Sequence, residues 1–220
     1  MRKFQGILPI LLSILFVITI TILVCFSLPN WAGWNKIAAL TLIACYVGWL
    51  GIESKIAIGE TRKNETRSDS GTLEMYAFGR AATVITALAV PIFGVEDHHW
   101  RGMGRGLGML CFFFGVTFRL WAIHTLGQFY SHRVRVVAGH SVVQNGPYQW
   151  IRHPAYTGML LAHTGFVLFF FNWAALTVLL SIFLPAVVIR ILTEEKTLLP
   201  VVPGYAEYAV KRKRLLPLVW

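Results

Sequence analysis

Charge is scarce in this chain. Asp, Glu, Lys and Arg make up 14% of its 220 residues, against about 25% in a typical soluble domain. With an apolar fraction of 56% and a mean hydropathy of +0.61, that excludes intrinsic disorder and argues against an ordinary soluble enzyme. Acidic residues are scarcer still, 10 against 20 Lys and Arg, which leaves a net charge of +10. In a polar chain that excess would suggest nucleic acid. In a chain this apolar it fits the cation bias of cytoplasmic membrane loops, and no nucleic-acid partner is expected. Cysteine is also sparse. Cys25, Cys45 and Cys111 are odd in number and lie in apolar stretches, so no disulfide framework is expected.

Several chemistry-bearing patterns are missing. His124, His132, His140 and His153 fall within thirty residues, but their spacing forms no helical metal-binding pair and no Cys stands near, so no metal site is expected. No dinucleotide fingerprint follows a strand, and no P-loop occurs. The alternating Gly102, Gly104, Gly106 and Gly108 read as close helix packing rather than a phosphate loop.

Long apolar runs are abundant. Residues 7–28 are long enough to cross a hydrocarbon core of about 30 Å, and too long for a signal peptide's core. Further runs occupy 37–58, 76–95, 106–123, 155–171 and 174–192. Asn172 and Trp173 alone separate the last two, which therefore form an antiparallel hairpin, either full or re-entrant, with Pro185 expected to kink its second arm. The expected fold is all-α and polytopic, with about six transmembrane helices (five or six), the last two a tight helical hairpin. Residues 1–120 form an N-terminal membrane region of four spans. Residues 121–220 form a C-terminal catalytic region with a cofactor-binding segment, the hairpin and an amphipathic tail.

With six spans both termini share one side. That side carries 15 Lys and Arg against 3 on the other, which predicts both termini in the cytoplasm. Arg80 and Arg119 fall within spans and read as isolated there. Segment 59–75 lacks apolar periodicity and reads as a solvated loop.

Polar residues concentrate between the fourth span and the hairpin, and again just after the hairpin. Because the hairpin returns the chain, both segments end on one face. In GPYQWIRHPAYTG, Gly146-Pro147 signals a turn, and Pro154 favours an extended His153 and suits the first turn of a helix. His153 thus stands at the membrane edge, beside free helix amides that favour electron-rich groups. Flanking anchors and an aromatic belt are the plainer reading of Arg152, Tyr148, Trp150 and Tyr156. Arg190 and Glu194, four residues apart, share a helix face, either as a local ion pair or as two halves of a zwitterion site; Glu195 should point elsewhere.

These elements, taken in order, resemble the isoprenylcysteine carboxyl methyltransferase family: His124-x-Leu-Gly127, His140-Ser-Val-Val143, Gly146-Pro-Tyr148, Arg152-His-Pro-x-Tyr156-x-Gly158, the short hairpin, Arg190, Glu194-Glu195-x-x-Leu198, Gly204-Tyr205-x-x-Tyr208 and Pro217. The resemblance covers about residues 121–217. It implies an integral-membrane enzyme using S-adenosyl-L-methionine. The cofactor would be held by His140, Ser141, Val142, Val143, Tyr148, His153, Pro154, Ala155, Tyr156 and Glu194. Arg190 would be the catalytic and substrate-binding residue facing the methyl acceptor. Where some relatives carry a Gln upstream of the His140 motif, this chain has Arg133. The implied acceptor is lipophilic, such as a C-terminal isoprenylcysteine, entering from the bilayer and its lipids while the cofactor enters from the cytoplasm. The competing readings are an NADPH-dependent steroid or sterol reductase, a phospholipid N-methyltransferase, and a non-catalytic scaffold or transporter. The Arg152-His153-Pro154 triplet favours the methyltransferase over the reductase.

Overall fold

The structure, a computed structural model, describes residues 2–31, 33–61, 71–93, 102–132, 134, 139, 141–217 and 220, with the backbone alone described at 2–10, 30 and 57–61. The helices are α1 (Arg2–Ser27), α2 (Gly33–Thr61), α3 (Thr72–Ala89), α4 (Met103–Leu126), α5 (Pro154–Phe169), α6 (Trp173–Val178), α7 (Leu184–Leu198) and α8 (Tyr205–Lys211). No strand occurs among the described residues. The stretches Gly33–Ile56, Thr72–Phe93, Met103–Phe129 and Trp173–Leu198 are long and apolar enough to cross a membrane, and Leu11–Ser27 is a shorter apolar helix. The chain is a polytopic helical membrane protein. The six expected runs fall on α1, α2, α3, α4, α5 and the α6–α7 rod.

Helix is the form that satisfies every backbone group internally where water is absent. The side chains then sort by contact. On α1, Leu11, Leu12, Leu15, Ile18, Ile22 and Phe26 stay exposed, as lipid-facing residues do, while Ile20 and Val24 turn inward. On α2 the buried positions are Ala39, Leu42, Tyr46, Trp49 and Glu53, a helical stripe that places a carboxylate on the interior face.

The tightest packing joins α4 to α5. A Cβ on Gly158 would lie 2.7 Å from the Arg119 nitrogen, and one on Gly108 would lie 2.7 Å from the Gly165 carbonyl oxygen. Gly115 and Gly165 are equally confined by the facing backbone. Small residues thus let the two backbones touch. Of the alternating glycines at the start of α4, Gly104 and Gly108 are buried, whereas a Cβ on Gly102 or Gly106 would meet nothing within 4 Å among the described residues.

Asn172 makes the hairpin turn. Its side chain accepts from the Ala175 amide at 2.8 Å and donates to the carbonyls of Phe170 (3.1 Å) and Ala87 (3.4 Å). The kink expected at Pro185 takes the form of a π-helical turn, Leu179–Phe183, joining α6 to α7. Proline has no N–H and its ring crowds the carbonyl four residues back, and a wider turn relieves both.

Contacts define two ends of the bundle. Trp31 stacks near Phe170 (5.7 Å), Asn172 reaches Ala87, and the Arg105 guanidinium lies over Phe169. The opposite end gathers the charged side chains: Glu53, Arg119, His153, Arg190 and Glu195.

Candidate active site

The C-terminal half builds the floor. Gly146 has φ +55°, which favours glycine, and opens a 3-10 turn, Gly146–Gln149, that turns Tyr148 inward. His153 has φ −124° and ψ 56°, short of the extended conformation expected before a proline, with its amide held by the Arg214 carbonyl, while Pro154 occupies the first turn of α5 as expected. The C-terminal tail then crosses beneath. The Arg152 amide donates to the Lys213 carbonyl (2.8 Å), the His153 amide to the Arg214 carbonyl (3.0 Å), and the Thr157 hydroxyl to the Leu215 carbonyl (2.9 Å). The Tyr208 hydroxyl of α8 donates to the carbonyls of Tyr148 (2.6 Å) and Ile151 (3.3 Å).

Two adjacent carboxylates on α7 face different neighbours. Glu194 accepts from the Tyr156 hydroxyl at 3.0 Å. Glu195, buried, meets Arg152 (2.9 Å), His153 Nε2 (3.0 Å) and Arg214 (2.9 Å). It does point away from the cavity wall, but into a cluster of three basic groups that anchors segment 152–153 and the tail. Arg190 donates to the Thr72 hydroxyl (3.2 Å) and the His132 carbonyl, and lies over the Tyr76 ring, 5.8 Å from its centre.

Above this floor lies a cavity with about 970 Å³ of empty space, counting its open mouth. Of the residues expected from the sequence, Ser141, Val142, Val143, Tyr148, His153, Ala155, Tyr156, Arg190 and Glu194 line it together. Pro154 is buried at the start of α5, off the wall. His140 and Arg133 lie outside the described residues, as do residues 62–70 of the polar loop. Tyr148 and Tyr156 are wall residues rather than members of an aromatic belt. Trp150 is exposed, and its ring lies 5.7 Å from Trp121. No cluster of three metal-binding side chains occurs among the described residues.

The tyrosines of the floor are held neutral. Burial pushes Tyr148 well above its ordinary value, and the Glu194 carboxylate adds to the effect. Burial raises Tyr205 likewise, reinforced by Glu194 and Glu195. Burial lifts Tyr208 to about 12, although Arg212 and Arg152 pull the other way. All three therefore present O–H donors at physiological pH, and none is a phenolate base.

Sequence reasoning missed a second polar layer. Arg119 is not isolated. Its Nε pairs with Glu53, its Nη1 donates to the Ala155 carbonyl (3.0 Å), and its Nη2 donates to the Tyr130 hydroxyl (3.0 Å). Arg80 meets the same carboxylate at 3.4 Å and His132 approaches it at 3.7 Å. The signal was present: one carboxylate and two guanidinium groups within otherwise apolar spans must find one another, since an unpaired charge there is costly. Tyr76 and Leu73 of α3 also line the cavity, and gave no sequence signal.

Fold and site together define a polytopic helical membrane protein with a cavity at one end of its bundle, lined by apolar side chains and by charged and hydroxyl groups. Comparison with known proteins gives most of that cavity a family: residues 107–200 match the isoprenylcysteine carboxyl methyltransferase (ICMT) family. The chain is 31% identical over 94 residues to protein-S-isoprenylcysteine O-methyltransferase B of Arabidopsis thaliana, covering 41% of this chain and 46% of that one. It is 33% identical over 108 residues to protein-S-isoprenylcysteine O-methyltransferase of Saccharomyces cerevisiae, covering 48% and 45%. It is also 33% identical over 94 residues to the uncharacterized protein YpbQ of Bacillus subtilis, covering 42% and 51%. The chain thus spans about half the length of the curated relatives it matches. The resemblance read from the motifs of the C-terminal half is borne out. The matched stretch runs from α4 to just beyond α7 and leaves α1, α2, α3 and α8 outside it.

Proposed function

We propose that the protein is a carboxyl O-methyltransferase of the membrane. It uses S-adenosyl-L-methionine to convert the carboxylate of a lipophilic acceptor, such as a C-terminal isoprenylcysteine, into a methyl ester at the membrane–cytosol interface. The carrying observation is a coincidence. The stretch that matches the methyltransferase family also gathers Arg190, Tyr156, Glu194 and residues 141–143 around one cavity.

The wall suits a zwitterionic nucleoside cofactor. The Tyr205 hydroxyl and the Arg152 Nε are buried without a hydrogen-bond partner among the described residues and lie on residues that line the cavity. Buried donors of this kind are stabilised when a ligand supplies an acceptor. Glu194 offers a carboxylate to a cationic group, and Ser141 to Val143 run without helix along the rim, leaving backbone groups for a ligand. When bound, S-adenosyl-L-methionine supplies a methyl group on a cationic sulfur, open to in-line displacement.

The chain's own residues align and desolvate. An acceptor α-carboxyl, with a pKa of about 3.5, arrives ionised, so no general base is needed, consistent with a wall of neutral tyrosines. Arg190 holds the carboxylate, for which a planar guanidinium is suited. Leu73, Phe129, Val142 and Leu198 limit water around it. Alignment of this kind supplies about 7–11 kcal/mol of barrier reduction. Cofactor enters from the cytoplasm, where both termini lie, and the acceptor enters from the surrounding lipid.

The test is ligand-dependent thermal stabilisation of the purified full-length chain. S-adenosylhomocysteine should raise its Tm and NADPH should not, and the radiolabelled product from a prenylcysteine acceptor should be released by mild alkali, as esters are and methylamines are not. Protection by NADPH alone would move the reading to a reductase.

A further inference from the structure

The cavity wall contributed by α3 contains a hydroxyl the fold itself does not use. Thr72 and Tyr76 stand four residues apart and share one face of α3. Both are buried, at 6% and 5% exposure. Both meet Arg190: Thr72 accepts a hydrogen bond from Nη1 at 3.2 Å, and the Tyr76 ring lies beneath the guanidinium. Tyr156 packs edge-on to Tyr76 at 6.1 Å, so the ring is held between the acceptor-binding cation and the Tyr156–Glu194 pair. Yet the Tyr76 hydroxyl has no hydrogen-bond partner among the described residues, although it is buried and its residue lines the cavity. A buried, unpartnered O–H costs stability, and such groups in a native structure call for an explanation.

We propose that Tyr76 and Arg190 form a composite carboxylate subsite, in which the Tyr76 hydroxyl donates to one acceptor oxygen while Thr72 fixes the guanidinium that holds the carboxylate. The N-terminal membrane region then carries a specificity residue for the acceptor. The proposal rests on the reading of Arg190 as the acceptor residue. Its logic is that of a site built to hydrogen-bond a charged group: an analogue lacking that group leaves the donors unpaired and is rejected. No proton is transferred, and the phenol stays neutral while the carboxylate stays ionised.

The experiment uses the full chain in detergent, with N-acetyl-S-farnesyl-cysteine and its carboxamide as probes. Binding of each is measured directly to wild type and Tyr76→Phe, alongside S-adenosylhomocysteine binding and the ligand-free Tm. Wild type should prefer the carboxylate. Tyr76→Phe should reduce that preference about tenfold, the size expected for one hydrogen bond to a charged group. It should leave S-adenosylhomocysteine binding intact. The ligand-free Tm should hold or rise, because an unpartnered hydroxyl adds nothing to the empty fold, whereas a merely structural hydroxyl would lower it when removed. A preference unchanged within twofold, or an equal loss for both probes, overturns the proposal. If wild type selects the carboxylate through Tyr76 but binds no S-adenosylhomocysteine, the subsite stands and the methyltransferase reading falls.

Discussion

Arg190 and Glu194 occupy one face of α7, one turn apart, yet they face different partners. Arg190 reaches Thr72 and the His132 carbonyl, while Glu194 meets Tyr156. The proposed division of labour follows from those positions: Arg190 for the acceptor, Glu194 and His153 for the cofactor side. A hydrogen bond to a charged group is worth about 1.5–3 kcal/mol, so each loss should weaken the relevant affinity roughly 10- to 150-fold. His153→Ala and Glu194→Ala should therefore weaken calorimetric binding of S-adenosylhomocysteine. Arg190→Ala should instead spare it and raise the acceptor KM, with Arg190→Lys rescuing only in part because an ammonium lacks the fork. Loss of cofactor binding in Arg190→Ala, with none in His153→Ala, would reverse the assignment. The helix start at Pro154 was legible from local backbone rules, whereas the ψ of 56° at His153 was not, because the C-terminal tail holds its amide. The Glu195 cluster with Arg152 and Arg214 was not, because it joins residues brought together by the hairpin and the tail.

At the scale of elements, the α4–α5 contact positions the site. Arg119 on α4 holds the Ala155 carbonyl in the first turn of α5, so any change in the spacing of the two helices moves the wall that carries Ala155 and Tyr156. The glycines that set this spacing face backbone, which cannot move aside as a side chain can. Gly108→Ala and Gly158→Ala should each lower the Tm in detergent, corresponding to about 1–3 kcal/mol of overpacking. Gly106→Ala, where no described residue lies within 4 Å, should be neutral or mildly stabilising, since alanine favours helix by about 1 kcal/mol. Equal Tm values for all three would mean that the seam is not under packing constraint. A run of alternating glycines suggested close packing from the sequence, but it could not separate Gly106 from Gly108. Two residues along a helix turn the side chain by about 200°, nearly to the opposite face, and only the partner helix decides which side is the contact.

For the whole molecule, the N-terminal helices are more than an anchor. Glu53 of α2 pairs with Arg119, and Thr72 and Tyr76 of α3 meet Arg190. Breaking a buried ion pair by removing one partner typically costs about 3–5 kcal/mol. The cation bias predicts that this end of the bundle, with both termini, faces the cytoplasm. In sealed vesicles of known orientation, single cysteines at positions 70 and 213 in a cysteine-free background should be labelled by an impermeant reagent only from the cytoplasmic side. Labelling of both from the opposite side would invert the topology and, with it, the proposed route for the cofactor.

The amino-acid sequence by itself determined that the chain is helical and membrane-embedded, because apolar length and backbone satisfaction in lipid leave no other form for such runs. It also determined which segment matches a known family, because polar residues at a span boundary are few and are ordered in a pattern that the family shares. Only the tertiary structure decided how Arg80 and Arg119 are compensated, which basic groups Glu195 anchors, and that α3 lends Tyr76 to the wall. Those outcomes depend on which faces of distant helices meet, and that choice is made by packing across the bundle rather than by the neighbours of any residue in the chain.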